Sequence, residues 1–412
     1  MNPRPDAARP NRAASSLPTA DVAVIGGGIV GAAAALASAQ AGLSTVWVAG
    51  RAFQLPPASA DDRDLRVYAL SPSTQRFLES LRVWSQLDPS RASPVFDMRV
   101  FGDADGRAAL HFGAYEAATE RLATIVEHRE LARVLDAAAG YFPGIERVEG
   151  FASAVDVGND GVDLVTERGT RRARLVIAAD GAKSPTREAV GIETRRKPYD
   201  QRALVGNFAC ERPHGGTAYQ WFTADGVIAL LPLAGADAMS LVWSAPDAKA
   251  DELMQLGADA MASRLSAMTA PLSATGPGAL TALGTVVAIP LALQTARRLV
   301  TRRTALVGDA AHVIHPLAGQ GLNLGLADVE TLVGIVATRE RFRDCGDAML
   351  LRRYERARAE PVLAMRQMTD GLSRLFTSTR PEAVHLRGFG MRVLDHVSPL
   401  KRLLMRQAAG GR

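Results

Sequence analysis

The N-terminal part of the chain has a hydrophobic pattern that predicts a strand, a helix and a second strand. The apolar run Val22 to Ile25 is typical of a short buried strand, and an alanine-rich stretch after a glycine turn predicts a helix. A second run, Thr45 to Val48, completes a βαβ unit. Residues 1–20 are rich in Pro, Arg, Ser and Ala without periodicity, so we predict a disordered leader there.

A second pattern of this kind lies at residues 304–331. The run Thr304 to Val307 predicts a buried strand that ends at a Gly-Asp turn, which places the carboxylate of Asp309 at a strand tip. From Leu322 to Leu332, apolar residues recur at helical spacing after a glycine-containing loop. The free N–H groups and partial positive charge of such a helix start favour a planar ligand that can become anionic.

Between these two regions the pattern changes to long alternating strands, at 203–210, 218–222, 227–231 and 239–243, with one helix near 251–268. We therefore predict an α/β fold with a Rossmann-like nucleotide-binding domain, an inserted mixed β-sheet domain and a helical C-terminal region. The nucleotide-binding domain would comprise residues 21–195, with a small strand excursion near 96–119, and residues 295–345. Residues 196–294 would form the inserted domain and 346–412 the C-terminal helices.

The glycines of the first unit carry the clearest chemical signal. Gly26, Gly28 and Gly31 form G-x-G-x-x-G between the predicted strand and helix, an arrangement typical of dinucleotide-binding folds. It predicts a pyrophosphate at the helix N-terminus. The second strand of such units usually ends in an acidic residue for the adenosine ribose, but this chain has Ala49. We therefore expect the ribose to be held differently or more weakly.

Composition excludes several classes of function. The chain has 412 residues, 47% of them hydrophobic, with a net charge of +5 and only 5% aromatic residues, so we expect a globular protein that binds no nucleic acid. Cys210 and Cys345 have no metal-ligand spacing, which favours a reducing compartment. His312 and His315 form HxxH without a third ligand nearby, so we predict no metal site.

Three sequence blocks together resemble the class A flavoprotein monooxygenases of the para-hydroxybenzoate-hydroxylase fold. They are GGGIVG at 26–31, AADGAKSPTR at 178–187 and VGDAAHVIHPLAGQGLNLGLADVE at 307–330. Within that class the chain is most similar to the ubiquinone-biosynthesis hydroxylase family. The narrower match rests on DLRVYALS at 64–71, VEHRELARVL at 126–135 and YQWFTADGVIALLPL at 219–233.

The resemblance implies FAD as cofactor and NAD(P)H as cosubstrate. It implies that the three glycines hold the FAD pyrophosphate, that Asp309 binds the ribityl chain, and that Asp180 serves FAD indirectly and the NAD(P)H route. Arg66 and Arg129 would contact the flavin side or the pyrophosphate. The loop that would lie against the isoalloxazine ring contains Pro316, Gly319, Gly321, Leu322 and Asn323.

The implied reaction needs no side chain as nucleophile or base. Reduced flavin reacts with O2 to form a C4a-hydroperoxyflavin, which hydroxylates an electron-rich ring. The helix start at Gly321 to Asn323 would stabilise the reduced, anionic flavin. The substrate would be a polyprenylated phenol in ubiquinone biosynthesis. Substrate contacts are predicted at Gln220, Trp221 and Phe222, although aromatic residues on strands commonly just fill the core.

Two other functions stay open at this point: hydroxylation of a small soluble aromatic compound, and a non-catalytic role in a ubiquinone-biosynthesis complex with weak FAD binding, which Ala49 motivates. Apolar residues from Leu386 to Leu404 recur at steps of three or four among basic residues, interrupted by Gly388, Gly390 and Pro399. Such a segment packs onto the protein body or lies on a membrane surface. We therefore expect a cytoplasmic protein, with peripheral contact to the inner membrane as one alternative.

Overall fold

The computed structural model describes residues 19–50, 63–102, 108–223, 225–314 and 321–377. The helices in this part of the chain are α1 Ile29–Gln40, α2 Pro72–Ser80, α3 His128–Gly140, α4 Pro185–Ala189, α5 Asp247–Thr269, α6 Gly321–Ala337 and α7 Ala348–Thr377. The strands are β1 Thr19–Ile25, β2 Thr45–Ala49, β3 Val67–Leu70, β4 Ala92–Val95, β5 Asp97–Phe101, β6 Ala108–Gly113, β7 Ala123–Glu127, β8 Ile145–Glu149, β9 Ala152–Val157, β10 Val162–Thr166, β11 Gly169–Ala178, β12 Thr194–Cys210, β13 Thr217–Thr223, β14 Gly226–Pro232, β15 Ala238–Pro246, β16 Leu280–Ala282, β17 Val287–Ala296, β18 Val300–Thr301, β19 Thr304–Leu306 and β20 His312–Val313.

The first sheet has the strand order β18-β19-β11-β1-β2-β8, in which β8, β2, β1, β11 and β19 run parallel. One face is covered by α1, α3 and α6 through a core that includes Leu36, Trp47, Leu131 and Leu326. Strands β9 and β10 extend this sheet, because β10 pairs antiparallel with both β11 and β9, and Val162 of β10 belongs to the core on the other face. The sheet is buried on both faces, as is usual for parallel strands linked by helices.

The second sheet has the order β20-β17-β12-β15-β14-β13-β5-β6, with β16 paired to β12. It is antiparallel except where β13 runs parallel to β5. Helix α5 covers one face, with Phe208, Trp243, Leu253 and Leu265 in the shared core. The strand excursion near 96–119 therefore lies in this sheet, because β5 pairs with β13 and β6 pairs with β5. A small third sheet has the order β3-β7-β4.

The mixed α/β fold expected from the hydrophobic pattern is confirmed, with α7 forming a helical C-terminal region. β1 begins at Thr19, so the last two residues of the predicted leader belong to a strand. Ser71 caps the short helix α2, which ends at Ser80, and Arg82 then adopts a positive φ of 59°. The domain boundaries stay predictions. The predicted leader up to residue 18 and the apolar tail beyond residue 377 lie outside the described residues.

No helix in the described ranges is long and apolar enough to cross a membrane. Helix α7 is the longest, but it carries Pro361 in its interior and many charged residues.

Candidate functional site

The predicted glycine turn connects β1 to α1, and its three glycines have different structural roles. A Cβ on Gly26, whose φ is +130°, would lie 2.2 Å from the carbonyl oxygen of Ala179, and one on Gly31 would lie 2.0 Å from the oxygen of Gly26. Only glycine fits at these two positions, because the backbone of neighbouring residues packs closely against them. Gly28 caps α1 and is exposed, and a Cβ there would meet no atom within 4 Å. Open space therefore lies at the helix N-terminus, as pyrophosphate binding requires.

Asp309 lies in the one-turn helix Gly308–Ala310 that follows β19. Its side chain is exposed, yet the surrounding protein raises the pKa of its carboxyl by desolvation, and the charges of Arg66 and His312 only partly offset this. An exposed carboxyl that is nevertheless desolvated lies on the floor of a concave surface. The structure thus places Asp309 where it can accept hydrogen bonds from a bound polyol.

A buried charged cluster fixes that turn from below. Asp328 on α6 accepts a hydrogen bond from the backbone N–H of Gly308 at 3.0 Å and one from Nε of Arg358 on α7 at 2.7 Å. Nε2 of His312 lies 2.8 Å from Asp328 Oδ2, the oxygen that accepts from Gly308, though the two are not aligned as a hydrogen bond. Burial alone would raise the pKa of Asp328, but His312 and Arg358 together hold it below its usual range. Asp328 is therefore a buried carboxylate that positions Gly308.

The two predicted arginines share one organising carboxylate, Asp64, which sequence reasoning missed. Asp64 accepts backbone hydrogen bonds from Arg66 at 3.0 Å and Arg129 at 2.8 Å, and its Oδ2 lies 3.5 Å from Nε of Arg129. Its own N–H donates to Glu127, and Asn207 of the second sheet donates to its carbonyl. The only signal in the sequence is that Asp64 begins the DLRVYALS block. The structure therefore brings Arg66 and Arg129 together.

Tyr68 and His128 form a hydrogen-bonded pair beside this group, with 3.1 Å between the phenol oxygen and Nδ1. Burial raises the pKa of Tyr68 to about 12, with Arg66 lowering it and Asp309 raising it further. Burial also lowers the pKa of His128, as does the charge of Arg66. Both groups are therefore neutral near pH 7. Tyr68 lies close enough to Arg66 and Asp309 for both charges to act on its pKa.

Asp180 follows β11, the neighbour of β1 in the sheet. Its Oδ2 accepts from the N–H of Thr186, while its buried Oδ1 has no hydrogen-bond partner in the described part of the chain. The buried Arg187, also missed, donates to the carbonyls of Ala182 at 3.0 Å and Ala310 at 2.9 Å. The AKSPTR block thus connects the Asp180 turn with the Asp309 turn.

The side chain of Asn323 forms hydrogen bonds with the protein's own backbone. Its Oδ1 accepts from the N–H of Ser71 at 2.9 Å, and its Nδ2 donates to the carbonyl of Ala69 at 2.8 Å. The first turn of α6, which begins at Gly321 and includes the buried Leu322, is thereby clamped to the β3–α2 junction. Predicted loop residues Pro316 and Gly319 lie outside the described residues.

The three predicted substrate residues divide between two faces of β13. Trp221 stacks on Phe101 with ring centroids 5.1 Å apart and belongs to the core shared with α5. Gln220 and Phe222 alternate with it, so they point to the opposite face, and both are buried. Asn207, which reaches Asp64, lies on that same face. Of the three predicted substrate residues, Gln220 and Phe222 therefore lie on the face towards Arg66 and Arg129, and Trp221 does not.

No group of three or more potential metal ligands occurs within the ranges that the structure covers. The site contains instead a glycine turn, two arginines on a shared carboxylate, an exposed Asp309 and a helix N-terminus. Such a set suits an elongated, anionic, partly planar molecule.

Comparisons with known proteins agree with this chemistry. A family model described as FAD binding domain matches residues 19–369. Ubiquinone hydroxylase UbiL of Rhodospirillum rubrum is 35% identical over 394 residues, covering 95% of this chain and 90% of the relative. The 3-demethoxyubiquinol 3-hydroxylase of Escherichia coli is 32% identical over 393 residues, covering 95% and 98%.

Solved structures show the same fold at lower sequence identity. The p-nitrophenol 4-monooxygenase PnpA of Pseudomonas putida superposes with a TM-score of 0.75 at 19% identity, covering 96% of this chain and 99% of that one. HpxO of Klebsiella pneumoniae, solved with FAD and uric acid, gives a TM-score of 0.71 at 18% identity, covering 94% and 96%.

Proposed function

The chain belongs to the FAD binding domain family, and on that premise we propose that it hydroxylates the ring of a polyprenylated phenol during ubiquinone biosynthesis. It is an FAD-dependent monooxygenase that uses NAD(P)H as cosubstrate. The observation that carries the substrate proposal is similarity over 95% of the chain to two relatives named as ubiquinone-pathway hydroxylases.

The residues present fit FAD. Gly28 leaves open space at the N-terminus of α1, where a pyrophosphate is stabilised by backbone N–H groups. The unpaired Oδ1 of Asp180 and the exposed carboxyl of Asp309 offer hydrogen-bond acceptors, and Arg66 and Arg129 offer positive charge. When bound, the flavin supplies the chemistry: it accepts a hydride from NAD(P)H and activates O2 for transfer to an aromatic ring.

The protein's own part is placement and charge. Asn323 fixes the first turn of α6, so the free N–H groups there keep a set direction and would stabilise negative charge on the reduced ring system. Asp64 holds the backbone of Arg66 and Arg129, and the charge of Arg66 lies near Asp309. Because this network is made of contacts within the protein itself, little reorganisation is needed during the reaction.

The substrate is proposed to lie against the face of the second sheet opposite α5. Gln220 and Phe222 belong to this face, whereas Trp221 does not. Phe222 can contact an aromatic ring, and Gln220 can hydrogen-bond a phenol or quinone oxygen. A hydrophobic substrate of this kind also motivates the proposal that the enzyme works at a membrane surface, in contact with other enzymes of the same pathway.

The test is the set of quinone intermediates in a strain that lacks the gene. We expect mass spectrometry of lipid extracts to show a prenylated phenol that is one ring oxygen short, and the wild-type gene to abolish its accumulation. A lipid profile unchanged by the deletion would contradict the proposal. Accumulation of a soluble aromatic compound instead would favour the alternative of a soluble substrate.

A matched pair of variants connects this phenotype to the cofactor. Gly28→Val adds a side chain whose Cβ would meet no protein atom within 4 Å, so we expect it to fold, to lose FAD binding and to fail in complementation. Gly334→Val adds the same side chain at another open position, in the C-terminal part of α6, and should complement. Equal complementation by both would contradict the assignment of the pyrophosphate to Gly28.

A further inference from the structure

The adenosine end of the cofactor site departs from the usual pattern. In dinucleotide-binding folds the ribose next to the adenine lies at the tip of the second strand, where an acidic side chain holds its hydroxyls. Here β2 ends in Ala49, which is buried and has its Cβ 3.2 Å from the place a Cβ on Gly27 would occupy. The methyl group of Ala49 cannot accept a hydrogen bond, so another group must contribute affinity at this end.

A neighbouring carboxylate does not replace it. Glu149 pairs with Ala49 in the parallel register of β2 and β8, which makes it an acidic side chain on the adjacent strand tip. Its Oε2, however, lies 2.9 Å from Nη2 of Arg168, with which it forms an ion pair. That carboxylate is already engaged, so we do not assign the ribose to it.

The loop after β8 is fixed to the tip of β2. The N–H of Gly150, which has a φ of +120°, donates to the carbonyl of Ala49 at 2.8 Å. Arg147 stacks over Trp47 at 4.5 Å and directs Nη2 to the carbonyl of Gly50 at 3.5 Å. The residue that follows Gly150 is therefore held at a defined place beside the end of β2.

That residue is Phe151, whose side chain is 76% exposed. Its Cζ would lie 3.8 Å from a Cβ placed on Gly50, so the ring lies next to the residue that follows β2. A nucleotide that starts at Gly28 on β1–α1 and crosses the tip of β2 arrives at the tip of β8, because the sheet order is β1-β2-β8. An exposed aromatic ring at that point can stack on a nucleobase.

We propose that Phe151 is a stacking platform for the adenine ring of FAD and that it contributes affinity at the end where Ala49 provides no ribose contact. This inference rests on FAD binding and not on the identity of the aromatic substrate. Stacking has no requirement for a charged partner, and it removes both the adenine face and the Phe151 ring from water.

The experiment measures binding to the apoprotein. FAD is titrated by the quenching of its fluorescence, and ADP, which has the adenosine part but no flavin, is titrated by competition with FAD. Phe151→Ala should weaken both FAD and ADP about 5- to 150-fold, the range expected for losing one base–aromatic stack. Phe151→Trp should keep or increase both affinities. Phe342→Ala is the matched control, because Phe342 is 81% exposed and follows the C-terminal end of α6.

Two results would overturn the proposal. If Phe151→Ala binds FAD and ADP as the wild type and Phe342→Ala do, the ring is only a surface residue. If Phe151→Ala weakens FAD but leaves ADP unchanged, the substitution acts on the flavin end and not on the adenine. A melting curve of each apoprotein identifies a variant that has lost its fold. If Phe151→Ala does not fold, the affinities of Phe151→Trp for FAD and ADP are compared with those of the wild type instead. Neither result bears on which phenol is hydroxylated.

Discussion

The charged cluster beneath the Asp309 turn provides a quantitative prediction, because two of the arginines on α7 lie in opposite surroundings. Arg358 donates to the fully buried Asp328 on α6 at 2.7 Å. Arg353, on the same helix, pairs with Glu340 at the protein surface at 2.5 Å. Replacing each arginine by methionine removes one positive charge and keeps a long unbranched side chain. The two variants therefore differ chiefly in whether the lost ion pair was buried or exposed.

The expected costs differ several-fold. Removing one partner of a buried ion pair leaves the other charge uncompensated, which typically costs about 3 to 5 kcal/mol. Among the described residues, the carboxylate of Asp328 in Arg358→Met keeps His312 and the N–H of Gly308 as partners, so its pKa should rise toward or above its usual range. Removing an exposed pair costs about 0 to 1 kcal/mol, and we expect that for Arg353→Met.

The assay is urea unfolding of the apoproteins followed by tryptophan fluorescence, with FAD affinity measured on the same samples. We expect Arg358→Met to unfold at clearly lower urea concentration and to bind FAD more weakly, because Asp328 positions Gly308 beside Asp309. Arg353→Met should match the wild type in both measurements. If the two variants lose the same stability, or if Arg358→Met keeps wild-type FAD affinity, the cluster does not hold the turn as described.

Three further predictions concern single residues. Ala49→Glu should tighten FAD by about 1 to 3 kcal/mol, the value of a charge-assisted hydrogen bond to the ribose, and fluorescence titration would refute this by showing unchanged or weaker binding. Trp221→Leu should lower the free energy of unfolding with little change in KM for the phenol, whereas Gln220→Ala should raise KM with little change in stability. The reverse pattern in steady-state kinetics and unfolding would mean that the substrate binds on the α5 side of the sheet. Asp309 has a raised pKa in the folded protein, so its ionisation costs stability above the unfolded pKa of about 3.9. Asp309→Asn should therefore stabilise the apoprotein at pH 7, with the gain vanishing as the pH falls toward about 4, and an equal gain at both pH values would contradict that origin.

The local parts of the site could be predicted from the sequence because their causes are local. The glycine turn is dictated by which Cβ atoms fit, and the structure shows contacts near 2 Å for any Cβ at Gly26 or Gly31. The β19 strand, the turn at Asp309 and the start of α6 follow from an apolar run, a Gly-Asp pair and a helical spacing in one stretch. Each of these signals lies within a few residues of the feature that it specifies.

The remaining parts depend on partners that are distant in sequence. Asp64 looks like any surface carboxylate until the fold brings Arg129 and Asn207 to it. The alternation along β13 separates Trp221 from its two neighbours, but it does not reveal which face α5 covers. The parallel pairing of β5 with β13 spans more than a hundred residues and leaves no local trace, so the excursion near 96–119 could be located in sequence but not assigned to its sheet.

We expect this chain, loaded with FAD, to transfer one oxygen atom from O2 to the ring of a prenylated phenol. The most direct measurement uses purified protein, FAD, NADH or NADPH, a short-chain prenylated phenol and ¹⁸O2, with the product analysed by mass spectrometry. We predict a product that carries one ¹⁸O atom on the ring and NAD(P)H oxidation that depends on the phenol, both lost in Gly28→Val and kept in Gly334→Val. A product labelled from water, or no hydroxylated product although FAD is bound, would contradict it.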